Sequence, residues 1–475
     1  MNEERKSGPG VGRRTFLAGG ASTLALASCA ALPSSARPAD GPPNIIFIMA
    51  DDLGYADLSC FGRRDYETPR IDSLARDGVR LTQAYANSPV CSATRTALIT
   101  GRYQYRFPIG LEEPLVNRDV GLEPEVETLP RALQRAGYTT ALVGKWHLGA
   151  LPRYGPLKSG YDKFWGFRSG SVDYFSHRTI GGHDLWDGEH EVHETGYLTQ
   201  LLGDRAVEVI ETASKDSKPL FLSLHFSAPH WPWEGPDDLD ESKRIQASGL
   251  PIWITHTDGG SMAVYAEMVK AMDRQVGRVL DTLDRLGIAD NTIVVFTSDN
   301  GGERFSDTWP FVGRKTELLE GGIRVPTLIR WPGRLPAGET SEQVCVSMDW
   351  VPTLLAGTGY PLADNYETDG VNLLPGLQQG GTQSRILFWR YRNLSQRACR
   401  SGDLKYLKIL DNEFLFNVVE DPLERANLKE RQPEAYLSLK AAYTDWESTM
   451  LPEDPAAFTH GANGSEFADR FGVGH

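Results

Sequence analysis

The chain has 475 residues, of which 40% are hydrophobic, 24% charged and 10% aromatic, and its formal net charge is −14. This length predicts a large domain with a smaller partner, and the hydrophobic fraction excludes a disordered chain. The 48 glycines and 29 prolines are scattered without a period, which excludes collagen-like and coiled-coil architectures. The acidic balance argues against general nucleic-acid binding, so an anionic substrate would need a local basic pocket.

The first residues carry the features of an export signal. Arg13-Arg14-Thr15-Phe16-Leu17 precedes a weakly apolar run, which is typical of twin-arginine (Tat) signals. The run ends in Leu26-Ala27-Ser28-Cys29, which resembles a bacterial lipobox; cleavage at a small residue without lipidation is the alternative. We expect the Tat machinery to export the protein, residues 1–28 to be removed and residues 29–43 to form a tether. The mature protein would lie in the periplasm, or at the bacterial cell envelope through a lipid on Cys29, and no other run is long enough to span a membrane.

Residues 44–380 alternate short apolar runs with helical patterns. This alternation predicts an α/β catalytic domain with a large mixed, mostly parallel sheet sandwiched by helices. The predicted strands are Asn44–Met49, Tyr138–Val143, Leu220–Phe226, Thr292–Thr297 and Thr327–Arg330. The predicted helices lie near Pro69–Asp77, Leu129–Ala136, Leu198–Ala213 and Ala263–Leu286.

Residues 381–475 predict a smaller C-terminal α+β domain built on an antiparallel sheet. Closely spaced strands are predicted at Ile386–Trp389, Gln396–Arg400, Leu404–Ile409 and Glu413–Phe416. A Ser-Gly-Asp turn at 401–403 joins the second strand to the third. A terminal helix is expected from about Pro433 to Met450.

Ionisable or metal-binding side chains follow four of the predicted strands. They are Asp51 and Asp52, Lys145 and His147, His230, and Asp299 with Asn300. In open α/β sheets, ligands bind beyond the carboxyl ends of the strands. A solvated loop charge would explain any one of these groups, but four together predict a site.

The side chains of this predicted site divide into two chemical sets. The oxygens of Asp51, Asp52, Asp299 and Asn300 suit a hard divalent cation, which would also relieve the repulsion among three carboxylates. Ca²⁺ is favoured over Mg²⁺ because it tolerates irregular geometry. The second set suits a sulfate or phosphate ester whose leaving group needs a proton, and its members are Arg95, Lys145, His147, His230 and Lys315. The residues alone do not choose between sulfur and phosphorus, nor do they name the nucleophile.

Cys91-Ser92-Ala93-Thr94-Arg95, followed by Thr100-Gly101-Arg102, resembles the signature of the type I sulfatases of the alkaline phosphatase superfamily. The resemblance continues, in order, through residues 51–54, 144–149, 228–232, 298–302, 315 and 320–326, and through short C-terminal segments near 402–406 and 421–428. The chain departs from the commonest form of the signature at Ala93, where proline is usual. This departure leaves the identity of the maturing enzyme open.

The resemblance implies an alkaline-phosphatase-like fold and an arylsulfatase-like sulfuric ester hydrolase that acts on a sulfated carbohydrate. A formylglycine-generating maturase would convert Cys91 to Cα-formylglycine, whose hydrate is the nucleophile and joins the metal ligands. Arg95 and Lys145 would hold that group, and His147 would take the proton from its remaining hydroxyl. His230 and Lys315 would contact the ester and protonate the leaving alcohol.

Two other functions stay open on the sequence. One is a phosphate or phosphonate ester hydrolase of the same superfamily, and the other is a lipoprotein that binds sulfated glycans without turnover because Cys91 stays unconverted. Four histidines, namely His177, His183, His190 and His193, are interpreted as a border of the substrate cleft, because their irregular spacing disfavours a second metal. His225 is predicted to be a packed, hydrogen-bonded core histidine.

Overall fold

The computed structural model describes residues 41–111, 113, 119–360, 362–363, 366–381 and 383–458. The predicted signal, Cys29 and the tether as far as residue 40 lie outside the described residues. Of the helices in the described part of the chain, none combines the length and apolar character that a bilayer crossing requires. The cysteines within it, Cys60, Cys91, Cys345 and Cys399, are free thiols.

The described residues form eighteen strands and ten α-helices. The strands are β1 (Asn44–Ala50), β2 (Val79–Leu81), β3 (Ala84–Tyr85), β4 (Thr139–Lys145), β5 (Lys163–Phe167), β6 (Arg178–Thr179), β7 (Gly182–His183), β8 (Trp186–Asp187), β9 (His190–Glu191), β10 (Leu220–His225), β11 (Thr292–Ser298), β12 (Thr327–Arg330), β13 (Glu339–Ser341), β14 (Cys345–Val346), β15 (Ile386–Tyr391), β16 (Gln396–Ser401), β17 (Leu404–Ile409) and β18 (Asn412–Asn417). The helices are α1 (Pro69–Arg76), α2 (Cys91–Thr100), α3 (Leu129–Arg135), α4 (Leu198–Ala213), α5 (Leu239–Ala247), α6 (Met262–Arg285), α7 (Glu320–Ile323), α8 (Trp350–Thr358), α9 (Leu374–Gln379) and α10 (Pro433–Glu447).

A ten-stranded sheet with the order β13-β2-β12-β11-β1-β10-β4-β5-β8-β9 forms the centre of the larger part. Its middle strands β11, β1, β10, β4 and β5 are parallel, whereas β12 pairs antiparallel with both of its neighbours. The prediction of a large mixed, mostly parallel sheet is therefore confirmed. The carboxyl ends of four adjacent parallel strands, β11, β1, β10 and β4, meet at one edge.

Both faces of this sheet are covered, because alternate residues of a strand point to opposite sides. Ile46 and Ile48 of β1 join an apolar cluster that includes residues of α4 and α6. Phe47, between them, joins a second cluster that includes residues of α3 and α8. Helix α6 begins at a capped end, where the Ser261 hydroxyl accepts a hydrogen bond from the Val264 amide at 3.2 Å.

The C-terminal part contains the predicted antiparallel sheet, with strand order β15-β16-β17-β18. Helix α10 packs on it through Leu439, Tyr443 and Trp446, in an apolar cluster that also contains Ala93 and Ala97 of α2. The smaller sheet therefore supports the helix that carries Cys91. The division into domains at residues 380 and 381 stays a prediction.

Several boundaries differ from the predicted ones for local reasons. Strand β4 runs two residues further than predicted, so that Lys145 is its last residue. The terminal helix ends at Glu447 instead of Met450. Strands β2, β8, β9 and β13 were not predicted, because runs of two or three residues carry no readable alternation.

Candidate active site

The side chains of the predicted site converge at the carboxyl edge of the ten-stranded sheet. Most lie at or just beyond the carboxyl ends of β1, β4, β10 and β11, while two lie in α2 and one in the loop before α7. In chain order they are Asp51, Asp52, Cys91, Arg95, Lys145, His147, His230, Asp299, Asn300 and Lys315, and all are buried. Two of them, Asp52 and His147, have left-handed backbones with φ of 62° and 56°. Such a conformation costs about 1–3 kcal/mol in a non-glycine residue, and it clusters at functional sites.

The carboxylates and the amide lie in direct contact. The Asp52 amide N–H donates to Asp299 Oδ1 at 3.3 Å, and Asn300 Nδ2 donates to Asp52 Oδ1 at 2.7 Å. Cys91 Sγ lies 3.3 Å from Asp51 Oδ1. One potential ligand atom from each of Asp51, Asp52, Cys91 and His230 lies within 4.8 Å of the others.

Asp51 and Asp52 each pair with a lysine. Lys145 Nζ lies 2.6 Å from Asp51 Oδ2, and Lys315 Nζ lies 2.7 Å from Asp52 Oδ2. Burial alone would lower the pKa of both lysines, but Asp51 raises that of Lys145 and Asp52 raises that of Lys315. Both ammonium groups are therefore charged at neutral pH.

Asp299 pairs with Arg95, whose Nη2 and Nε lie 2.8 Å and 3.0 Å from Asp299 Oδ2. Burial favours the protonated form of Asp299, but Arg95 and then Lys145 outweigh it and lower the pKa of this carboxyl. Asp51 behaves differently, since burial and the charge of Asp299 raise its pKa to about 7. Of Asp51 and Asp299, Asp51 is thus the carboxylate that the cationic side chains compensate less.

Two histidines face this cluster as neutral imidazoles. Burial, and then Lys145, hold the pKa of His147 well below its ordinary value. Burial, and then Lys315, do the same for His230. His230 Nδ1 donates to the Trp231 carbonyl at 2.7 Å, which leaves Nε2 as the lone-pair nitrogen, 3.5 Å from Asp52 Oδ2. His147 Nδ1 is buried and has no hydrogen-bond partner among the described residues.

Cys91 is the first residue of α2, and Arg95 lies one turn later on the same side of the helix. Helix N-termini ordinarily favour thiolates and other anions. Here burial raises the pKa of the Cys91 thiol well above its usual value, and Asp299 and Asp51 raise it further. An unmodified Cys91 is consequently a neutral thiol and a poor nucleophile.

The donor set fits a hard divalent cation. Carboxylate and amide oxygens are the ligands that Ca²⁺ and Mg²⁺ prefer. Asn300 Oδ1 is buried without a hydrogen-bond partner in the described part of the chain. A cation beside Asp51 would also lower the raised pKa of that carboxyl.

Three further residues border the site. His225, the last residue of β10, is buried, and its Nδ1 lies 3.2 Å from the Lys145 carbonyl and 3.3 Å from Arg95 Nη1. This confirms the prediction of a packed, hydrogen-bonded histidine. Burial raises the pKa of Glu303 to about 7 against the charge of Lys315, and its Oε2 has no hydrogen-bond partner among the described residues. Gly170 approaches His147 so closely that a Cβ there would lie 2.7 Å from Cε1 and Nε2.

Sequence reasoning missed Glu303 and Gly170. Glu303 directly follows the Asp-Asn-Gly-Gly segment at 299–302, and that position could have marked it. Gly170 lies in a loop with no recognisable pattern, so only the fold reveals its contact with His147.

The chain is similar to several known proteins. A family model described as Sulfatase matches residues 43–360. N-acetylgalactosamine-6-sulfatase of Rattus norvegicus is 32% identical over 410 residues, which cover 81% of this chain and 75% of the relative. Steryl-sulfatase of Mus musculus is 32% identical over 461 residues, with coverage of 82% and 73%. Among solved structures, Ps i-CgsB in complex with k-i-k-neocarrahexaose has a TM-score of 0.78 and 30% identity, and the match covers 90% of this chain and 97% of that one.

Proposed function

The chain belongs to the sulfatase family and is a sulfuric ester hydrolase, and we propose that it removes sulfate from a sulfated carbohydrate through a formylglycine formed from Cys91. The observation that carries the proposal is Cys91 itself. It lies 3.3 Å from Asp51 at the start of α2, with its thiol held neutral by burial. Such a thiol is unreactive as it stands, so the position gains nucleophilic chemistry only after modification.

Formylglycine would supply a hydrated aldehyde, with one hydroxyl to attack sulfur and a second to allow sulfate to leave. The chain's own residues position it. Arg95 lies one turn beyond Cys91 on the same helix, where its charge, shared with Asp299, can neutralise an oxyanion. Lys145, at the end of β4, brings a second positive charge to the same place.

A divalent cation would occupy the oxygens of Asp51, Asp52, Asp299 and Asn300, and we propose Ca²⁺ in preference to Mg²⁺. Its positive charge would polarise both the sulfate and the oxygen of residue 91. With those carboxylates engaged, the ammonium groups of Lys145 and Lys315 would be free to turn towards the sulfate oxygens.

Lys315 is proposed as the donor of the proton to the leaving alcohol. Its pKa is raised, so it carries a proton throughout the neutral range, whereas His230 is neutral there. His230 would contact the ester through Nε2. His147 would accept the proton from the remaining hydroxyl of residue 91, because its lowered pKa leaves the ring deprotonated, with a free lone pair, at neutral pH.

The carbohydrate substrate is supported by relatives whose names include N-acetylgalactosamine-6-sulfatase, and by Ps i-CgsB, solved with k-i-k-neocarrahexaose. A steryl-sulfatase is a relative at the same identity. Rates on sulfated sugars and on a steroid sulfate therefore test the substrate class. We expect the larger kcat/KM on a sulfated sugar, and a preference for the steroid would contradict the substrate while leaving the sulfatase reaction intact.

Mass spectrometry of the Cys91 peptide from the native host tests the nucleophile. The mass of formylglycine or its hydrate is expected, and an intact thiol in active protein would contradict the mechanism. Parallel rates on an aryl sulfate and an aryl phosphate test which kind of ester the enzyme prefers. The sulfate should be the better substrate, and the opposite order would favour a phosphate or phosphonate ester hydrolase.

We also propose export through the Tat machinery, maturation by a formylglycine-generating maturase, and a final place in the periplasm or at the cell envelope. The support is the twin-arginine leader, which ends at Cys29. The lipid anchor predicts that the native protein fractionates with membranes and that Cys29→Ala releases it. Release of the native protein without detergent would favour the unlipidated alternative.

A further inference from the structure

Three side chains outside the active site come together on the segment that follows β5. His183 ends β7, Glu191 ends β9, and His193 lies two residues later. One potential ligand atom from each lies within 4.8 Å of the other two. The sequence spacing disfavoured a metal here, but the antiparallel pairing of β8 with β9 brings Glu191 opposite Trp186, three residues beyond His183.

His183 is oriented as metal-binding histidines are. Its Nε2 lies 2.8 Å from the Val192 carbonyl, so Nε2–H donates and Nδ1 keeps the lone pair. A backbone carbonyl on the second ring nitrogen is the usual device that fixes the tautomer of a metal ligand. The partly buried position of His183 limits the number of alternative orientations.

The other two groups complete a two-histidine, one-carboxylate set. The rings of His183 and His193 stack with centroids 4.2 Å apart, and His193 Nε2 lies 3.2 Å from Glu191 Oε1. Both Glu191 and His193 are exposed, so water could fill the remaining coordination positions. Two imidazoles and a carboxylate suit a borderline cation such as Zn²⁺, in contrast to the all-oxygen preference of Ca²⁺.

We propose that His183, Glu191 and His193 form a second metal site, selective for a divalent transition metal of the Zn²⁺ type. The site is connected, through Asp184, to residues 168–170 beside the active site. Asp184, the next residue after His183, accepts hydrogen bonds from the amides of Arg168 and Ser169 at 3.1 Å and 2.8 Å. Gly170 follows them and packs against His147. A metal that joins His183 to Glu191 and His193 would therefore restrict the motion of the segment at 168–170 that packs against His147.

The test is a calorimetric titration of the full mature protein with Zn²⁺, after the protein has been saturated with Ca²⁺. Wild type is compared with His193→Gln, Glu191→Gln and the matched control His190→Gln, a neighbouring exposed histidine outside the three-residue set. We expect one zinc site in wild type and in the control, and binding weaker by about 10-fold or more in the other two variants. His193 and Glu191 are exposed, so these substitutions should leave the fold intact.

A second measurement locates the ion. Anomalous scattering at the zinc edge from a crystal of the zinc complex should give a peak between the three side chains. The proposal is overturned if the control loses zinc as strongly as His193→Gln, if His193→Gln and Glu191→Gln bind like wild type, or if the only peak lies at Asp51. None of these outcomes depends on sulfatase activity, so failure of this site and failure of the proposed function are distinguishable.

Discussion

Two buried clusters of charge in the described part of the molecule are built differently. In the active site each carboxylate has its own cationic partner: Asp51 pairs with Lys145, and Asp52 pairs with Lys315. In the second cluster, between α7 and the four-stranded sheet, two carboxylates share one lysine. Lys405 Nζ lies 3.0 Å from both Glu320 and Glu424, and all three side chains are completely buried.

The second cluster is also cross-linked by further hydrogen bonds. The Tyr85 hydroxyl donates to Glu320 Oε2 at 2.6 Å, and the Glu320 amide donates to Glu424 Oε2 at 2.7 Å. Arg324 adds a contact to Glu320 at 3.2 Å. In the active site, His147 Nδ1 and Asn300 Oδ1 have no hydrogen-bond partner among the described residues. Glu424 Oε1 of the second cluster also lacks a hydrogen bond there, but it lies 3.0 Å from the Lys405 ammonium. The first cluster is thus arranged for a ligand and the second for the fold, and substitutions in each cluster can test that difference.

The largest effect is expected at Cys91. Cys91→Ala removes the precursor of the nucleophile and should lower turnover of an aryl sulfate by a factor on the order of 10³ or more. The thermal unfolding midpoint should stay close to that of wild type, because alanine fits the start of a helix. Cys60→Ala is the matched control, a free and half-buried cysteine away from the site, and should keep its activity. Retained turnover in Cys91→Ala would refute the nucleophile assignment.

The next effect is expected at His147, which is proposed to accept a proton after the alcohol has left. His147→Asn should lower steady-state kcat by about 10²–10⁴-fold. Because the first half of the reaction would proceed, rapid mixing with a chromogenic ester should still show a burst close to one product per enzyme. His256→Gln is the control. This buried histidine lies outside the site, and its Nε2 is 2.8 Å from Glu241 Oε1. A slow phase without a burst would move His147 to the first half of the reaction.

In the second cluster, Lys405→Met should affect stability and not chemistry. It leaves Glu320 and Glu424 buried without their shared cation, and breaking a buried ion pair costs about 3–5 kcal/mol. Urea unfolding should show that loss in the free energy of unfolding, with kcat per folded enzyme unchanged. Lys408→Met, on the same strand but half-buried, should change stability by about 0.5 kcal/mol or less. A drop in kcat without destabilisation would place Lys405 on the catalytic side of the comparison.

Much of the active-site cluster could be predicted from the order of residues along the chain. The rule that ligands bind beyond the carboxyl ends of parallel strands was enough to group Asp51, His147, His230 and Asp299 from sequence alone. It did not predict the direction of β12. The connection from β11 to β12 contains the site loops and only the four-residue helix α7, so the chain re-enters the sheet from the same edge and runs antiparallel.

The charges of the site were beyond sequence reasoning for a different reason. Repulsion among three carboxylates was the argument for a metal, yet the fold gives each carboxylate a cationic neighbour. Incompletely compensated negative charge remains at Asp51, whose raised pKa follows from complete burial and the nearby Asp299. Likewise, the second cluster joins Lys405 of β17 to Glu320, 85 residues away, and no local sequence pattern predicts such a pairing.

The smallest effect expected is a pH dependence of stability from Glu424. Burial raises the pKa of Glu424 to about 7, although Lys405 opposes it, while Lys405 and Arg324 outweigh burial and lower that of Glu320 to about 2. Between about pH 4.5 and 7 the unfolded chain loses the Glu424 proton before the folded protein does. The folded state binds more protons in that window, so Glu424 makes stability fall as pH rises. The contribution of Glu320 to stability has the opposite sign: it increases as the pH rises, and it levels off above about pH 4.5.

Glu424→Gln isolates this contribution, because glutamine mimics the protonated side chain and keeps an oxygen for the Glu320 amide. Asp51 titrates in the same window, so the informative quantity is the difference between the variant and wild-type curves. Urea unfolding from pH 4.5 to 7.5 should show that the variant loses about 3 kcal/mol less than wild type. Glu420→Gln, an exposed control four residues earlier, should follow the wild-type curve. Parallel curves for Glu424→Gln and wild type would mean that Glu424 is ionised throughout, with Lys405 compensating both carboxylates in full.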